Sequence, residues 1–148
     1  MSNDAAVTKD LMKTLEDGRD GFAAGAEKLD KDGEPALAQT FRDLGTTRGQ
    51  LSDELRVIAA SYGDQIDESG TVAAKAHRGW MAVKDALTGS DPDGVLDAAE
   101  QGEDHVVSKY EDALAEDISP EFKVVLQRQL VEIRSAHDQV KALRASRG

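Results

Sequence analysis

Three charged side chains interrupt helical stripes of apolar residues that are otherwise continuous. Arg48, Glu103 and His137 each occupy a position where the three- and four-residue spacing of the stripe predicts an aliphatic side chain. A buried charge is costly unless it is paired. We therefore expect these three residues to meet in a buried Arg–carboxylate–His network that sets the register and order of the helices.

Carboxylates and a histidine on facing helices also allow a second chemistry, a metal or small-ligand site. If the last two helices fold back on each other, Glu100 lies between the levels of Glu103 and His137, and the three form a candidate mononuclear site for a divalent metal or iron. A dinuclear centre needs Glu-x-x-His pairs, and the chain contains none. Arg48, with its permanent charge, would repel a metal and could substitute for it. The sequence leaves the structural network and the metal site as alternatives.

Other catalytic and cofactor chemistries lack their residues in this sequence. Without cysteine, the chain has no disulfide, thiolate zinc site, iron–sulfur cluster or thiol nucleophile. It contains no Ser-His-Asp order, phosphate-binding glycine loop or nucleotide fingerprint. His105 falls off the inner stripe, so we expect it to face solvent. We therefore predict no catalytic or cofactor-binding residue, and a non-catalytic protein is favoured.

The composition is that of an acidic, folded and very soluble protein. The 148 residues include 18 Lys and Arg against 29 Asp and Glu, a formal net charge of −11. This balance argues against nucleic-acid binding, which requires basic side chains at phosphates. No apolar run approaches the roughly 20 residues that span a bilayer, so we expect no membrane partner. The start of the chain lacks the pattern of a signal peptide, which predicts a cytoplasmic protein.

Helical periodicity dominates the chain, and no stretch alternates as a strand does. We predict long helices over about 4–31, 34–62, 92–116 and 119–146, and a short one over about 71–88. The short helix lies between the second and third long helices, where a ferritin-like bundle has its crossover. The predicted fold is therefore a single all-α domain over residues 1–148, a ferritin-like four-helix bundle whose second and third long helices run parallel.

Glycines inside the first two helices need an explanation, because each costs up to about 1 kcal/mol relative to alanine. Gly45 and Gly49 fall opposite the middle of the first helix, so close approach of the two helices is one account. The other is a notch that receives Trp80 or a partner. Because alanine-rich stripes leave modest core volume per helix, we expect a homodimer or larger assembly. No protein partner is indicated.

Several short motifs follow one another along almost the whole chain. They are Gly21-Phe22, Arg48, Glu54-Leu55, His77-Arg78-Gly79-Trp80, Glu100, Glu103-Asp104, Tyr110, Gln129, His137-Asp138 and Leu143-Arg144. Their order and spacing resemble the bacterial ferritin-like four-helix-bundle proteins grouped as domain of unknown function 2383. The resemblance implies the ferritin-like fold and no established activity. By analogy with ferritin-like proteins we expect a stress-related role.

Overall fold

Four long α-helices make up nearly all of the described chain. The computed structural model describes residues 4–60 and 91–147. Its helices are α1 (Asp4–Lys31), α2 (Pro35–Ala60), α3 (Pro92–Leu114) and α4 (Pro120–Arg147). The described residues contain no strand, so the prediction of an all-helical bundle is confirmed. The predicted crossover helix over 71–88, with Trp80, lies outside the described residues.

The starts of α3 and α4 follow the capping signals in the sequence. Asp91 has extended backbone angles, and its Oδ1 accepts a hydrogen bond from the Gly94 amide at 2.9 Å. Ser119 caps the start of α4, because its Oγ accepts a hydrogen bond from the Phe122 amide at 3.3 Å. Each cap is followed by a proline, whose fixed backbone angle suits the first position of a helix. Local chemistry therefore determines where both helices begin.

The first two helices form an antiparallel hairpin. Arg42 Nη1 lies 2.8 Å from Asp30 Oδ2 near the turn, and Arg56 Nη2 lies 2.7 Å from Glu16 Oε1 towards the other end. The turn contains Gly33, whose backbone φ of 79° is one that residues with a Cβ atom rarely adopt. The hairpin thus aligns the first half of α2 with the second half of α1.

The third helix is also antiparallel to α1. Lys109, near the end of α3, has its Nζ 3.3 Å from Asp10 Oδ2, and Val95, near its start, packs beside Gly25. Because α2 and α3 both run opposite to α1, they run parallel to each other, as the sequence predicts. The end of α2 and the start of α3 therefore lie at opposite ends of the bundle.

The fourth helix returns antiparallel to α3. Glu111 Oε2 lies 3.0 Å from Arg134 Nη2, whereas Glu100, about three turns earlier in α3, forms an ion pair with Arg144 near the end of α4. Within residues 4–60 and 91–147, no helix combines the length and apolar character that crossing a membrane requires.

The apolar core of the described residues forms two separate clusters, one toward each end of the bundle. Cluster A contains Phe22, Ala26, Leu29, Ala38, Phe41, Leu44, Val95, Leu96, Ala98, Ala99, Ala136 and Val140. Cluster B contains Leu11, Met12, Leu15, Leu51, Leu55, Ala59, Val106, Tyr110, Ala113, Ile118, Phe122, Leu126, Leu130 and Ile133. On α2 and α3 the two clusters are separated by the levels of Arg48 and Glu103.

Helices α1 and α2 approach each other closely at Gly45. A Cβ placed on this glycine would lie 3.3 Å from the backbone oxygen of Arg19 and 3.3 Å from the Cβ of Phe22. A larger residue would push the two helices apart. Close approach, one of the two accounts offered by the sequence, therefore explains this glycine.

Candidate functional site

Arg48 of α2 and Glu103 of α3 form an ion pair at the centre of the bundle. The guanidinium donates from Nη2 to Glu103 Oε2, and the two side chains are 1% and 0% exposed. The guanidinium also lies over the ring of Phe22, 5.6 Å from its centroid. Both residues stand midway along amphipathic helices, so the helical stripe itself directs them inward. Two members of the predicted network are thus in direct contact.

Part of the hydrogen-bonding capacity of this pair is unused. Among the described residues, Arg48 Nη1 and Glu103 Oε1 are buried without a hydrogen-bond partner, and so is Ser52 Oγ one turn further along α2. Burial raises the pKa of Glu103, while the charge and hydrogen bond of Arg48 oppose that rise. An incompletely bonded buried ion pair contributes little net stability compared with apolar side chains. The pair is therefore a candidate site rather than a source of stability.

His137 lies beside this pair but bonds to other groups. Its Nε2 is 2.5 Å from Asp104 Oδ1 and its Nδ1 is 3.6 Å from Asp138 Oδ1, with the side chain 20% exposed. Burial lowers the pKa of His137, but hydrogen bonds to the two aspartates and the nearby charge of Glu103 outweigh it, and the pKa is raised. His137 thus joins α3 to α4 at the edge of the central pair.

Glu100 is also bonded elsewhere. It accepts from Arg144 Nη1, and Arg144 Nη2 lies 3.1 Å from Asp97 on the same turn of α3. Glu100, Glu103 and His137, the candidate metal ligands, therefore each have a different partner. Within residues 4–60 and 91–147, no three His, Cys, Asp or Glu side chains are grouped so that they could hold a metal. The Arg48 guanidinium, bonded to Glu103, places a permanent positive charge within this donor set.

A second buried network connects three helices next to the central pair. Tyr110 of α3 donates to Gln129 Oε1 at 2.7 Å, and Gln129 Nε2 donates to Glu54 Oε1 at 2.6 Å and to the Leu51 carbonyl at 3.3 Å. At the surface, Arg128 donates a hydrogen bond to the other carboxylate oxygen of Glu54, Oε2. Burial raises the pKa of the Tyr110 hydroxyl, so it remains a donor. The inner-stripe positions of Tyr110 and Gln129 are the sequence signal that could have revealed this network.

The expectation that His105 faces solvent is wrong. Its side chain is half-buried, and its Nε2 is buried without a hydrogen-bond partner among the described residues. Burial, with the nearby charge of Lys109, lowers the pKa of this histidine. His105 lies on the flank of α3 that faces α1, where Asp17 is close enough to act on its charge. A position at the edge of the helical stripe is thus covered by the packing of two helices.

A buried contact also ties the start of α1 to the start of α4. Asp4 Oδ1 accepts from the Ser119 amide at 2.8 Å, and Asp4 Oδ2 accepts from Ser119 Oγ at 2.6 Å. Asp4 is buried although it stands in the first turn of its helix. Acidic residues are common in the first turn of a helix, so the sequence carries no signal that distinguishes this contact.

Comparison with known proteins adds one match. A protein-family model described as "Domain of unknown function (DUF2383)" matches residues 5–117. The matched span includes α3 and almost all of the hairpin, and therefore both members of the central pair. No curated protein matches the chain.

Proposed function

The chain belongs to the family described as a domain of unknown function (DUF2383), and we propose that it is a non-catalytic helical-bundle protein that associates with itself. The resemblance noted from the motifs is therefore confirmed as far as membership of this family. A ferritin-like arrangement, a cytoplasmic location and a stress-related role belong to the proposal. None of them follows from the family description, which assigns no activity.

The observation that carries the proposal is the neutralised pair at the bundle centre. Arg48 and Glu103 are bonded to each other and fully buried, so neither presents a reactive group to a substrate. A permanent cation also occupies the place where a bundle could hold a metal. Such a pair supports a role in fixing helix order and register, as buried polar groups do in some helical assemblies.

The parallel course of α2 and α3 supports the ferritin-like part of the proposal. Helix α2 has 26 residues, which at about 1.5 Å per residue gives roughly 39 Å. Two consecutive parallel helices need a connection of about this length, and bundles of the ferritin type use a long crossover. A helix over 71–88 would supply about 27 Å of it at the same rise per residue.

Self-association is supported by the small side chains in the core. Five of the twelve described members of cluster A are alanines, and an alanine buries less apolar area than a larger aliphatic residue. Sedimentation velocity of the full chain from low to high micromolar concentration tests the proposal. We expect a dimer or larger species that dissociates on dilution. A compact monomer at every concentration would reject it.

A degenerate metal site on Glu100, Glu103 and His137 is the alternative function. The specific observation in its favour is Glu103 Oε1, a buried carboxylate oxygen with no hydrogen-bond partner among the described residues. Elemental analysis of protein purified without a metal-affinity tag is the direct measurement. Thermal melting of the wild type and Glu103→Gln, with and without added iron or manganese, separates the two functions.

The two functions predict different melting results. In the proposed function, Glu103→Gln lowers the melting temperature by the same amount with and without metal. In the alternative, metal raises the melting temperature of the wild type as any native-state ligand does, and Glu103→Gln abolishes that rise. The exposed Glu132→Gln is the matched control.

A further inference from the structure

On α2 and α3, a charged side chain separates the two apolar clusters at the middle of the bundle. On α2, cluster A ends at Leu44 and cluster B begins at Leu51, and the intervening inner position is Arg48. Glu103 separates the two clusters on α3 in the same way. Cooperative unfolding of a whole bundle depends on continuous packing, and segments with separate packing can open separately. The central pair therefore marks a boundary between two packing units.

The two units differ in the apolar area that holds them together. Cluster A has five alanines among twelve residues, whereas cluster B has two alanines and six leucines among fourteen. A buried leucine contributes much more transfer free energy than a buried alanine, while the backbone entropy lost per residue is similar. Among the described residues, the end of the bundle that contains cluster A is thus held together by less apolar area per residue.

The polar contacts increase this difference. Near cluster A, the Arg42–Asp30 ion pair between α1 and α2 lies at the surface, and surface pairs contribute little to stability. Near cluster B, the Tyr110–Gln129 bond is buried, and the Asp4–Ser119 contact is largely shielded from water. Buried hydrogen bonds with good geometry contribute more. Both kinds of interaction favour early opening of the same end.

We propose that the bundle opens in two steps, and that the cluster A end opens while the cluster B end stays folded. The opening unit comprises residues 22–31, 35–44, 95–99 and 136–143. Phe22, which covers the Arg48 guanidinium, belongs to this unit. Opening therefore gives water and small solutes access to the Arg48–Glu103 pair without global unfolding. This local opening is a conformational device built into the fold.

Native-state amide hydrogen exchange on the full chain, in increasing concentrations of urea below the unfolding transition, tests this proposal. We expect amides beside cluster A to exchange at least tenfold faster than those beside cluster B. Their rates should rise less steeply with urea, because the partial opening exposes less surface than global unfolding. A single rate class with one common urea dependence at both ends would overturn the proposal.

Matched variants add a second, independent readout. Leu96 in cluster A and Leu126 in cluster B are both fully buried. Leu126→Ala weakens the folded and the half-open states equally, so it should accelerate exchange beside cluster B and leave cluster A unchanged. Leu96→Ala weakens only the fully folded state, so it should accelerate exchange at both ends. Acceleration of both ends by Leu126→Ala would contradict the proposal, and Ile133→Val gives the same test if that variant does not fold.

Discussion

Arg48 and Glu103, 55 positions apart, bond to each other where the two apolar clusters of the bundle meet. Each side chain is the counter-charge of the other, and neither reaches solvent. Removing one of them therefore leaves an uncompensated buried charge, whereas removing both restores an apolar interior. This difference makes the pair suitable for a double-mutant cycle.

The first prediction concerns replacement of the central pair. Arg48→Met and Glu103→Leu should each lower the free energy of unfolding by about 3–5 kcal/mol, because each leaves the other charge buried without a partner. The double variant should be as stable as the wild type, or more stable by about 1–4 kcal/mol. Urea unfolding measures all four proteins. The exposed pair Arg134–Glu111 is the control, and its cycle should give no more than about 1 kcal/mol. A double variant as unstable as the single variants would contradict the prediction.

The second prediction concerns the pH dependence of stability through His137. Its pKa is raised in the folded protein, so folding favours the protonated form. This contribution is fully present below the pKa of an unfolded histidine, about 6.5, and is lost as the pH rises through the higher folded value. The free energy of unfolding of the wild type, minus that of His137→Gln, should therefore fall as the pH rises above about 6.5.

Comparison with His137→Gln is necessary because another histidine has the opposite effect. The pKa of His105 is lowered, so its contribution is present above the unfolded value and is lost as the pH falls. Subtracting the two proteins leaves the part that depends on His137. A difference that does not change with pH would show that the bonds to Asp104 and Asp138 do not depend on protonation of the imidazole.

The third prediction concerns Gly25, which packs against an aromatic ring. A Cβ at this position would lie 2.8 Å from Phe41 Cδ2, and Phe41 is fully buried against Phe22 with ring centroids 5.4 Å apart. Gly25→Ala should cost about 1–3 kcal/mol, because the ring has little room to move. At Gly49, the one contact of the added Cβ among the described residues is with the flexible Cδ of Arg19, at 3.4 Å. Gly49→Ala should therefore stabilise by up to about 1 kcal/mol. Thermal melting compares the two, and equal effects would reject this account.

The fourth prediction concerns the contact between Asp4 and Ser119. Asp4→Ala removes two hydrogen bonds from the start of α4 and should cost about 1.5–3 kcal/mol. Ser119→Ala removes the side-chain cap of α4 and should cost about 0.5–2 kcal/mol. Because the substitutions disrupt one shared contact, the double variant should cost less than the sum of the two. Additive costs in urea unfolding would mean that the two residues act independently, and Asp20→Ala, at an exposed site in the same helix, is the control.

The sequence by itself determined the helices and which of their faces are buried. Helical periodicity is local, so the stripes that bury Arg48 and Glu103 are readable without knowledge of any other helix. The starts of α3 and α4 are equally local, because a capping side chain and a proline act within one turn. The parallel course of α2 and α3 was predicted from the helical pattern over 71–88, a segment that lies outside the described residues.

The sequence predicted that Arg48 and Glu103 meet, but the tertiary structure alone decided the partner of His137. Glu103 and Asp104 are neighbours in sequence, yet one turns inward to Arg48 and the other turns outward to His137. Successive residues differ by about 100° around a helix and 1.5 Å along it. A partner is therefore selected by the lateral position and axial offset of the facing helix. These quantities depend on the packing of all four helices together, and no local pattern encodes them.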